Sequence, residues 1–274
     1  MNIKGKVALI TGGGTGIGTA IAERFVADGA KVCITGRRKE LLEKVAKSLL
    51  SGSVIICPGD VSKEEDVKRM VDTTVKFGGK INVLVNNAAI NHPAPIVELD
   101  PKIWQEVIGV NLTGPFLLMK AVIPHMLKEG GGSIINIASL GGLRCLPSMP
   151  AYCSTKAGLI MLTQQAALEY GRNNIRCNAV CPGGVKTEMT KKDFGQFGEM
   201  LGIEPDTFIN QIAAEIPMRR FAASSEMGGL CSYLASDDSS FMTGAVITID
   251  GGTAIVDVVG ASITAALRRG GLVD

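Results

Sequence analysis

The chain has 274 residues, of which 46% are hydrophobic and 20% are charged. This composition provides a substantial core and excludes an intrinsically disordered chain. Lys and Arg number 28 against 26 Asp and Glu, so the net charge is only +2, which gives no electrostatic footprint for DNA or RNA. The seven cysteines are an odd number without CxxC pairs, and this argues against disulfides and a metal site of the zinc type.

Short β-branched segments alternate with longer amphipathic segments along most of the chain. The predicted strands are Val7–Thr11, 32–35, 54–57, Val83–Asn86, 133–138, 175–180 and Val246–Ile249. They are apolar on both faces, as the strands of a buried parallel sheet are. Helical patterns such as 64–77 lie between them. We therefore predict one α/β domain over residues 1–252, a doubly wound Rossmann-type fold with a seven-stranded parallel sheet flanked by helices.

The N-terminal residues run directly into the first predicted strand. No basic segment followed by an apolar stretch precedes it, so no secretory signal is predicted. The uninterrupted apolar runs are shorter than the ~18 residues of a membrane span. We expect a cytoplasmic protein that binds neither membranes nor nucleic acid.

The first predicted strand leads into the glycine-rich loop TGGGTGIG at residues 11–18, and a helical pattern follows. Such a loop presents backbone N–H groups and a helix N-terminus, where a diphosphate binds. The strict GxGxxG spacing is absent, and Thr19 after Gly18 disfavours the phosphate loop of a nucleoside-triphosphatase. A merely flexible turn would cost much backbone entropy. The predicted dinucleotide contacts in this loop are Gly12, Thr15, Gly16, Ile17 and Gly18.

The second predicted strand is followed by Arg37 and Arg38, where an acidic residue would bind the ribose 2′-hydroxyl of NAD. Two cations near a helix N-terminus oppose the helix dipole, and the 2′-phosphate of NADP would relieve that conflict. A solvated Arg pair neutralised by Glu40 or Glu43 is the alternative. The sequence favours NADP, with NAD as the other choice.

Polar residues follow the next two predicted strands. Asp60 and Val61 come after the third strand, where a carboxylate can accept a hydrogen bond from an adenine amino group. Asn86 and Asn87 end the fourth. These two side chains either tie neighbouring strand ends together or contact the ligand, and the sequence does not decide between the two roles.

Tyr152 and Lys156 are four residues apart in a helical pattern that runs to about residue 169, so both side chains lie on one helix face. Ser139 ends the fifth predicted strand, and Asn111 lies in the preceding helical pattern. A Tyr-x-x-x-Lys pair taken alone is weak evidence, because most such pairs are solvated.

Together these residues resemble the short-chain dehydrogenase/reductase family in its compact form. The matching segments, in family order, are TGGGTGIG, NNAA, VNLTG, INIAS, YCSTK and CPGGVKT. They cover nearly the whole chain up to Gly252. The departures are Ala89, where the family usually has glycine, and the additional residues 253–274.

The resemblance implies a role for each matching residue. Tyr152 would be the general acid/base at the substrate oxygen, and Lys156 would hold the nicotinamide ribose and lower the pKa of Tyr152. Ser139 would hydrogen-bond the reacting oxygen, and Asn111 would hold a water that relays protons. Hydride would pass directly between substrate and nicotinamide without a metal. The segment expected to cover the nicotinamide comprises Pro182, Gly183, Val185 and Thr187.

Two segments remain outside the strand–helix alternation. Residues 187–217 resemble an active-site lid, and their Met and Phe residues suggest an apolar pocket wall, although packing of the lid onto the body explains most of them. The apolar tail, 253–274, is predicted to pack on a neighbouring subunit of a homo-oligomer, since members of the family are usually dimers or tetramers.

The leading functional hypothesis is an NADP-dependent alcohol dehydrogenase or carbonyl reductase that acts on a fairly apolar small molecule. A 3-ketoacyl-thioester reductase is the nearest alternative. A non-catalytic nucleotide-binding sensor or pseudoenzyme subunit belongs to a different class, and the presence of all four reacting residues argues against it. A sugar-nucleotide epimerase or dehydratase would need a longer C-terminal domain.

Overall fold

The computed structural model describes residues 2–257 together with 263 and 267. The strands are β1 (Val7–Thr11), β2 (Lys31–Gly36), β3 (Val54–Pro58), β4 (Val83–Asn86), β5 (Gly132–Ile137), β6 (Ile175–Pro182) and β7 (Val246–Ile249). The α-helices are α1 (Gly16–Ala27), α2 (Lys39–Ser48), α3 (Glu64–Gly78), α4 (Pro101–Ile108), α5 (Gly114–Lys128), α6 (Pro150–Tyr170), α7 (Glu188–Met200), α8 (Pro205–Ala214) and α9 (Ser225–Ala235).

The seven strands form one parallel sheet in the order β3-β2-β1-β4-β5-β6-β7. The predicted fold class is therefore confirmed. Across the sheet, the chain order of the strands runs down from β3 to β1 and then up from β4 to β7, so it reverses between β1 and β4. In sheets of this kind ligands bind beyond the carboxyl ends of the strands at this reversal, so the topology alone directs the search for a site to the ends of β1 and β4.

Helices cover both faces of the sheet, which explains why β1 and β4 are buried along their whole length. On one face, α1, α2 and α9 pack around Phe25, Leu42 and Leu234. On the other face, α3, α5 and α6 pack against the sheet around residues such as Met70 and Leu118. Each face therefore has its own apolar core.

The helical stretch Pro101–Lys128 passes without interruption from α4 into α5. With a mean hydropathy of 1.5, it is long and apolar enough to cross a membrane, although its uninterrupted apolar runs are short. Half of its most apolar window is buried, however, and Leu118, Val122 and Met126 belong to the core beneath the sheet. This burial is typical of a core helix, which passes the same test of length and composition.

The start of α1 packs tightly against the end of β1. A Cβ atom on Gly18 would lie 2.2 Å from the carbonyl oxygen of Gly12 and 2.6 Å from Nδ2 of Asn87. Gly12 itself has a φ of +65°, a left-handed conformation that glycine adopts without strain. The glycines of this loop are therefore required by close backbone packing, in addition to any ligand.

This packing predicts that Gly18→Ala lowers the free energy of unfolding by about 1–3 kcal/mol, the usual cost of overpacking. Gly229→Ala in α9 is the matched control, since its added Cβ would meet only the Arg24 guanidinium, at an ordinary 3.5 Å. Urea unfolding curves of the two variants check the prediction. Equal stability of Gly18→Ala and the wild type would contradict it.

Candidate active site

A cavity of about 530 Å³ lies beyond the carboxyl ends of β1, β2, β4, β5 and β6. Its lining contains every residue predicted to bind the cofactor, except that Gly18 lies behind the glycine loop and packs on Gly12. It also contains Ser139, Tyr152 and Lys156. The fold thus brings the glycine loop into one cleft with Ser139, Tyr152 and Lys156, which follow it by more than 100 positions in the sequence.

Asn87 holds the glycine loop in place. Its Nδ2 donates to the carbonyl oxygens of Thr11 at 2.9 Å and Gly12 at 3.3 Å, and the Thr11 hydroxyl accepts from the backbone N–H of Asn87 at 2.9 Å. Asn86 instead donates to Oδ1 of Asn136 on β5 at 2.8 Å. Both asparagines therefore tie strand ends together, and Asn87 also lines the cavity.

Arg37 and Arg38 lie at one end of the cavity, each facing a carboxylate from a distant part of the chain. Nη1 of Arg37 is 3.8 Å from Glu106 on α4, and Nη2 of Arg38 is 3.6 Å from Glu188 at the start of α7. All four side chains are substantially exposed, so these ion pairs are weak. The predicted neutralising residues Glu40 and Glu43 are not the partners that the structure shows.

The remaining predicted cofactor contacts have distinct local roles. Asp60 accepts from the backbone N–H and the hydroxyl of Ser62, at 3.0 and 2.8 Å, through one carboxylate oxygen. Val61 is buried. Thr187 caps α7 by accepting from the backbone N–H of Thr190 at 3.1 Å, and Val185 pairs with Ala222 in an isolated parallel bridge. These contacts order the two sides of the cleft, with Pro182 and Gly183 at the end of β6.

The reacting residues come from β5 and α6. Lys156 is only 2% exposed, and its Nζ donates to the carbonyl oxygen of Ile137 at 2.7 Å. Nζ also lies 5.6 Å from the centre of the Tyr152 ring, one helical turn away. Ser139 follows β5, and its Oγ accepts from the backbone N–H of Gly141 at 3.0 Å. Since that bond uses only an oxygen lone pair, the Ser139 hydroxyl proton remains available to donate.

Asn111 lies in a π-helical turn, Gly109–Thr113, which joins α4 to α5. Turns of this kind are frequently found at functional sites. The side chain is fully buried, and it both donates to and accepts from the backbone of Ile90, each at 2.9 Å. Nδ2 also reaches the Thr155 hydroxyl at 3.3 Å. Asn111 thus positions the segment after β4 against α6, while its predicted water-holding role stays a prediction.

Burial dominates the electrostatics of the reacting pair. It lowers the pKa of Lys156 to about 8, and the charge of Cys181 opposes this slightly. Burial also raises the pKa of Tyr152; the hydrogen bond with Ser139 acts in the opposite direction, and the negative charge of Asp193 adds to the increase. The expected lowering of the Tyr152 pKa by Lys156 is not found here, because the ammonium group is engaged by Ile137 and sits over the ring face.

Sequence reasoning missed a buried polar pair in the same cavity. Asp193 of α7 is 6% exposed, and its Oδ2 accepts from Nδ2 of Asn91 at 3.1 Å. Both residues line the cavity. Asn91 lies in the segment after β4, and no local pattern connects it with a residue 102 positions later. The only sequence signal for Asp193 is a general one, namely that it is a charged residue within the apolar segment of the lid.

The lid consists of two helices, α7 and α8, which pack against each other. Phe194 of the lid contacts the ring of Phe221, with 6.0 Å between the ring centroids, and Ile209 and Ile212 pack in the same cluster. The lid residues that line the cavity are Thr187, Glu188, Met189, Thr190, Lys192 and Asp193. Of the apolar lid residues, Met189 lines the cavity, whereas Phe194, Ile209 and Ile212 pack in the lid's own core, so packing of the lid explains these three.

The predicted C-terminal extension, 253–274, lies almost entirely outside the described residues. Its first residues form a short 3-10 turn, Thr253–Ile255, and Nη2 of Arg144 donates to the carbonyl oxygen of Ala254 at 3.0 Å. Arg144 thus contacts the start of the extension.

Comparison with known proteins places this geometry in a family. A family model described as enoyl-(acyl carrier protein) reductase matches residues 12–254. The chain belongs to the short-chain dehydrogenase/reductase family. It is therefore an oxidoreductase of alcohol or carbonyl groups, in a family that uses NAD(P) cofactors and acts on small molecules.

Individual members support this assignment over almost the full length. A 3-oxoacyl-(acyl-carrier-protein) reductase of Thermotoga maritima is 38% identical over 257 residues, which cover 93% of this chain and 100% of that protein. A 2-(R)-hydroxypropyl-CoM dehydrogenase of Xanthobacter autotrophicus is 36% identical over 252 residues, with coverages of 90% and 97%. The crystal structure of levodione reductase matches with a TM-score of 0.89 at 31% identity, over 93% of this chain and 99% of that one.

The buried ammonium group of Lys156 predicts a pH-dependent stability. Its pKa falls from 10.5 to about 8 on folding, so the unfolded chain binds more protons between these values and stability rises with pH. Relative to Lys156→Met, the wild type should gain about 2 kcal/mol of unfolding free energy between pH 8 and pH 10. Urea unfolding at several pH values measures this.

Lys120→Met is the control, since the Lys120 side chain is 62% exposed and pairs only with the exposed Glu64. Its stability should follow that of the wild type across the same pH range. Parallel pH curves for Lys156→Met and the wild type would show that burial does not shift the Lys156 pKa.

Proposed function

We propose that the protein is an NADP(H)-dependent oxidoreductase that transfers a hydride between the nicotinamide and a carbonyl or secondary alcohol of a small molecule. One observation carries the proposal: Ser139, Tyr152 and Lys156 line the same cavity as the glycine loop. The sensor and pseudoenzyme hypotheses leave this arrangement of a hydroxyl, a phenol and a buried ammonium group without a purpose.

The cavity fits a dinucleotide. Backbone N–H groups of the glycine loop and the N-terminus of α1 suit the diphosphate, with Gly12, Thr15, Gly16 and Ile17 on the lining. Asp60 and Val61 lie where the adenine would bind, and Val185 and Thr187 where the carboxamide would. When bound, the nicotinamide supplies or accepts the hydride.

The preference for NADP rests on Arg37 and Arg38. Each is only loosely paired with an exposed carboxylate, and a phosphate with two negative charges would compete effectively for both guanidinium groups. NAD remains the alternative. Thr15 is a neutral residue at a position where a basic residue would have provided a further phosphate contact.

The chain's own residues account for the proton transfer. In carbonyl reduction, Tyr152 donates its phenolic proton to the substrate oxygen, and the Ser139 hydroxyl, which hydrogen-bonds Tyr152, donates to the same oxygen. In alcohol oxidation, the Tyr152 phenolate accepts that proton. The hydrogen bond with Ser139 favours the phenolate and opposes the effect of burial, while the Lys156 ammonium lies beside the ring.

Tyr152→Phe should abolish nearly all turnover and leave cofactor binding almost unchanged, because the substitution removes only the proton donor. The assay is loss of NADPH absorbance against cyclic ketones, diketones, keto acids and 3-ketoacyl thioesters, with NADPH binding measured by fluorescence. Full activity of Tyr152→Phe would contradict the assigned role. Turnover confined to the thioesters would favour the 3-ketoacyl-thioester reductase alternative.

Arg37→Ala should weaken NADPH binding by about 1.5–3 kcal/mol, the usual contribution of a charge-assisted hydrogen bond, and leave NADH binding nearly unchanged. Lys39→Ala is a control in the same region, because Lys39 is exposed and paired with Glu43 on its own helix. Titration of both variants with both cofactors checks this. Equal losses for NADPH and NADH on Arg37→Ala would contradict the 2′-phosphate assignment.

We also propose that the protein is a cytoplasmic homo-oligomer, a tetramer or dimer. Apolar side chains on the outer surface of the fold support this, among them Phe116 at 49%, Met161 at 65% and Leu168 at 80% exposure. Sedimentation of the full chain and of a chain without residues 254–274 tests both the assembly and the expected role of the extension. An unchanged profile would refute that role.

A further inference from the structure

Asp193 is a buried carboxylate that the proton transfer does not use. It lies on α7, is 6% exposed, and lines the cavity that contains Tyr152. Burying an ionised carboxylate is costly unless it is paired or hydrogen-bonded. A carboxylate on the wall of a reaction site therefore requires a hydrogen-bond donor or a cation beside it.

Only one of the two carboxylate oxygens of Asp193 accepts a hydrogen bond from the described residues. Oδ2 accepts from Asn91, whereas no described residue donates a hydrogen bond to Oδ1 or forms an ion pair with Asp193 within 4.0 Å. Burial raises the pKa of Asp193, and donation from Asn91 and the positive charges of Lys192 and of protonated His92 act in the opposite direction. One acceptor oxygen is thus left for a group inside the cavity.

The site is close to the reacting group. Asp193 and Tyr152 line the same cavity, and the negative charge of Asp193 contributes to the raised pKa of Tyr152. A substrate that occupies this cavity with its oxygen at Tyr152 can therefore also contact Asp193. The two residues face it from different elements, α6 and α7.

We propose that Asp193 determines substrate specificity by accepting a hydrogen bond from a donor group of the substrate, either a hydroxyl or an ammonium group, near the reacting carbon. This inference rests on the proposed function, since it concerns the same cavity. Asn91 acts as a positioning residue that fixes the orientation of the carboxylate. A substrate carboxylate or phosphate at this point would be repelled.

The simpler role for Asp193 is a purely structural one, which we call a clamp. Its bond with Asn91 joins the segment after β4 to the lid, so its loss would disturb every substrate alike. A recognition role instead affects only substrates that carry the donor. The two roles are separated by comparing ligands that differ in the donor alone.

The probes are cyclohexanones with a hydroxyl group at C2, C3 or C4, their methoxy counterparts, and 4-aminocyclohexanone as the ammonium probe. Binding is measured by calorimetry on the NADP⁺ complex of Tyr152→Phe, in which turnover is suppressed. Values of kcat/KM with NADPH are measured with Tyr152 intact. The variants are Asp193→Leu, Asp193→Asn and Asn91→Leu, with Asp206→Asn, an exposed lid carboxylate paired with Lys191, as the control.

At one ring position at least, the hydroxyl or ammonium probe should bind about tenfold to a hundredfold more tightly than the methoxy probe. Asp193→Leu should remove this preference and leave the methoxy probe nearly unchanged. Asn91→Leu should reduce the preference, because the carboxylate loses its fixed orientation, whereas Asp206→Asn should retain it in full. If the ammonium probe binds more tightly than the methoxy probe and loses this advantage in Asp193→Asn, the charge is the recognised feature. If the hydroxyl probe is the preferred one, Asp193 recognises a neutral donor.

The inference is overturned if donor and methoxy probes bind equally, or fail to bind, at every position, or if the preference survives in Asp193→Leu. Equal losses for all probes in Asp193→Leu and Asn91→Leu would establish the clamp. Failure of the proposed function can be distinguished from failure of this inference. In that case turnover would be absent, or would be unaffected by Tyr152→Phe, whatever the binding data show.

Discussion

The arrangement of the active site depends on a buried cation. Lys156 is held at the carboxyl end of β5 by the carbonyl oxygen of Ile137, 2.7 Å from Nζ, and burial lowers its pKa to about 8. A charge in such a place costs free energy that only fixed dipoles or a bound anion can offset. The helix that carries Lys156 places Tyr152 one turn earlier, so the position of the phenol follows from that of the ammonium group.

The rest of the cleft complements this pair. The glycine loop and the two loosely paired arginines favour negative charge. The lid adds the carboxylate of Asp193, which is held by Asn91 and lines the same cavity. One cavity thus combines groups that suit an anion with a carboxylate that accepts hydrogen bonds. Asn111, in its π-helical turn, connects the segment after β4 to α6 and fixes the distance between the two.

The sequence predicts the sheet well, because the buried strands have continuous apolar runs and the glycine loop and the Tyr-x-x-x-Lys spacing are local patterns. Three features escape it. The π-helical turn at Asn111 interrupts a periodicity that reads as helix throughout. The partners of Arg37 and Arg38 come from α4 and α7, and Asn91 meets Asp193 102 residues later. Phe194, Ile209 and Ile212 of the lid pack in the lid's own core, and composition cannot distinguish such residues from a pocket wall.

The most direct test of the account is to follow the hydride itself. The protein is incubated with NADPH that carries deuterium at C4 of the nicotinamide, on either face in turn, and with the carbonyl panel; the alcohol products are then analysed by mass spectrometry. The account predicts one deuterium on the carbinol carbon from one face only, and none with Tyr152→Phe. Tight cofactor binding without deuterium in any product would contradict hydride transfer and favour a nucleotide-binding protein without catalysis.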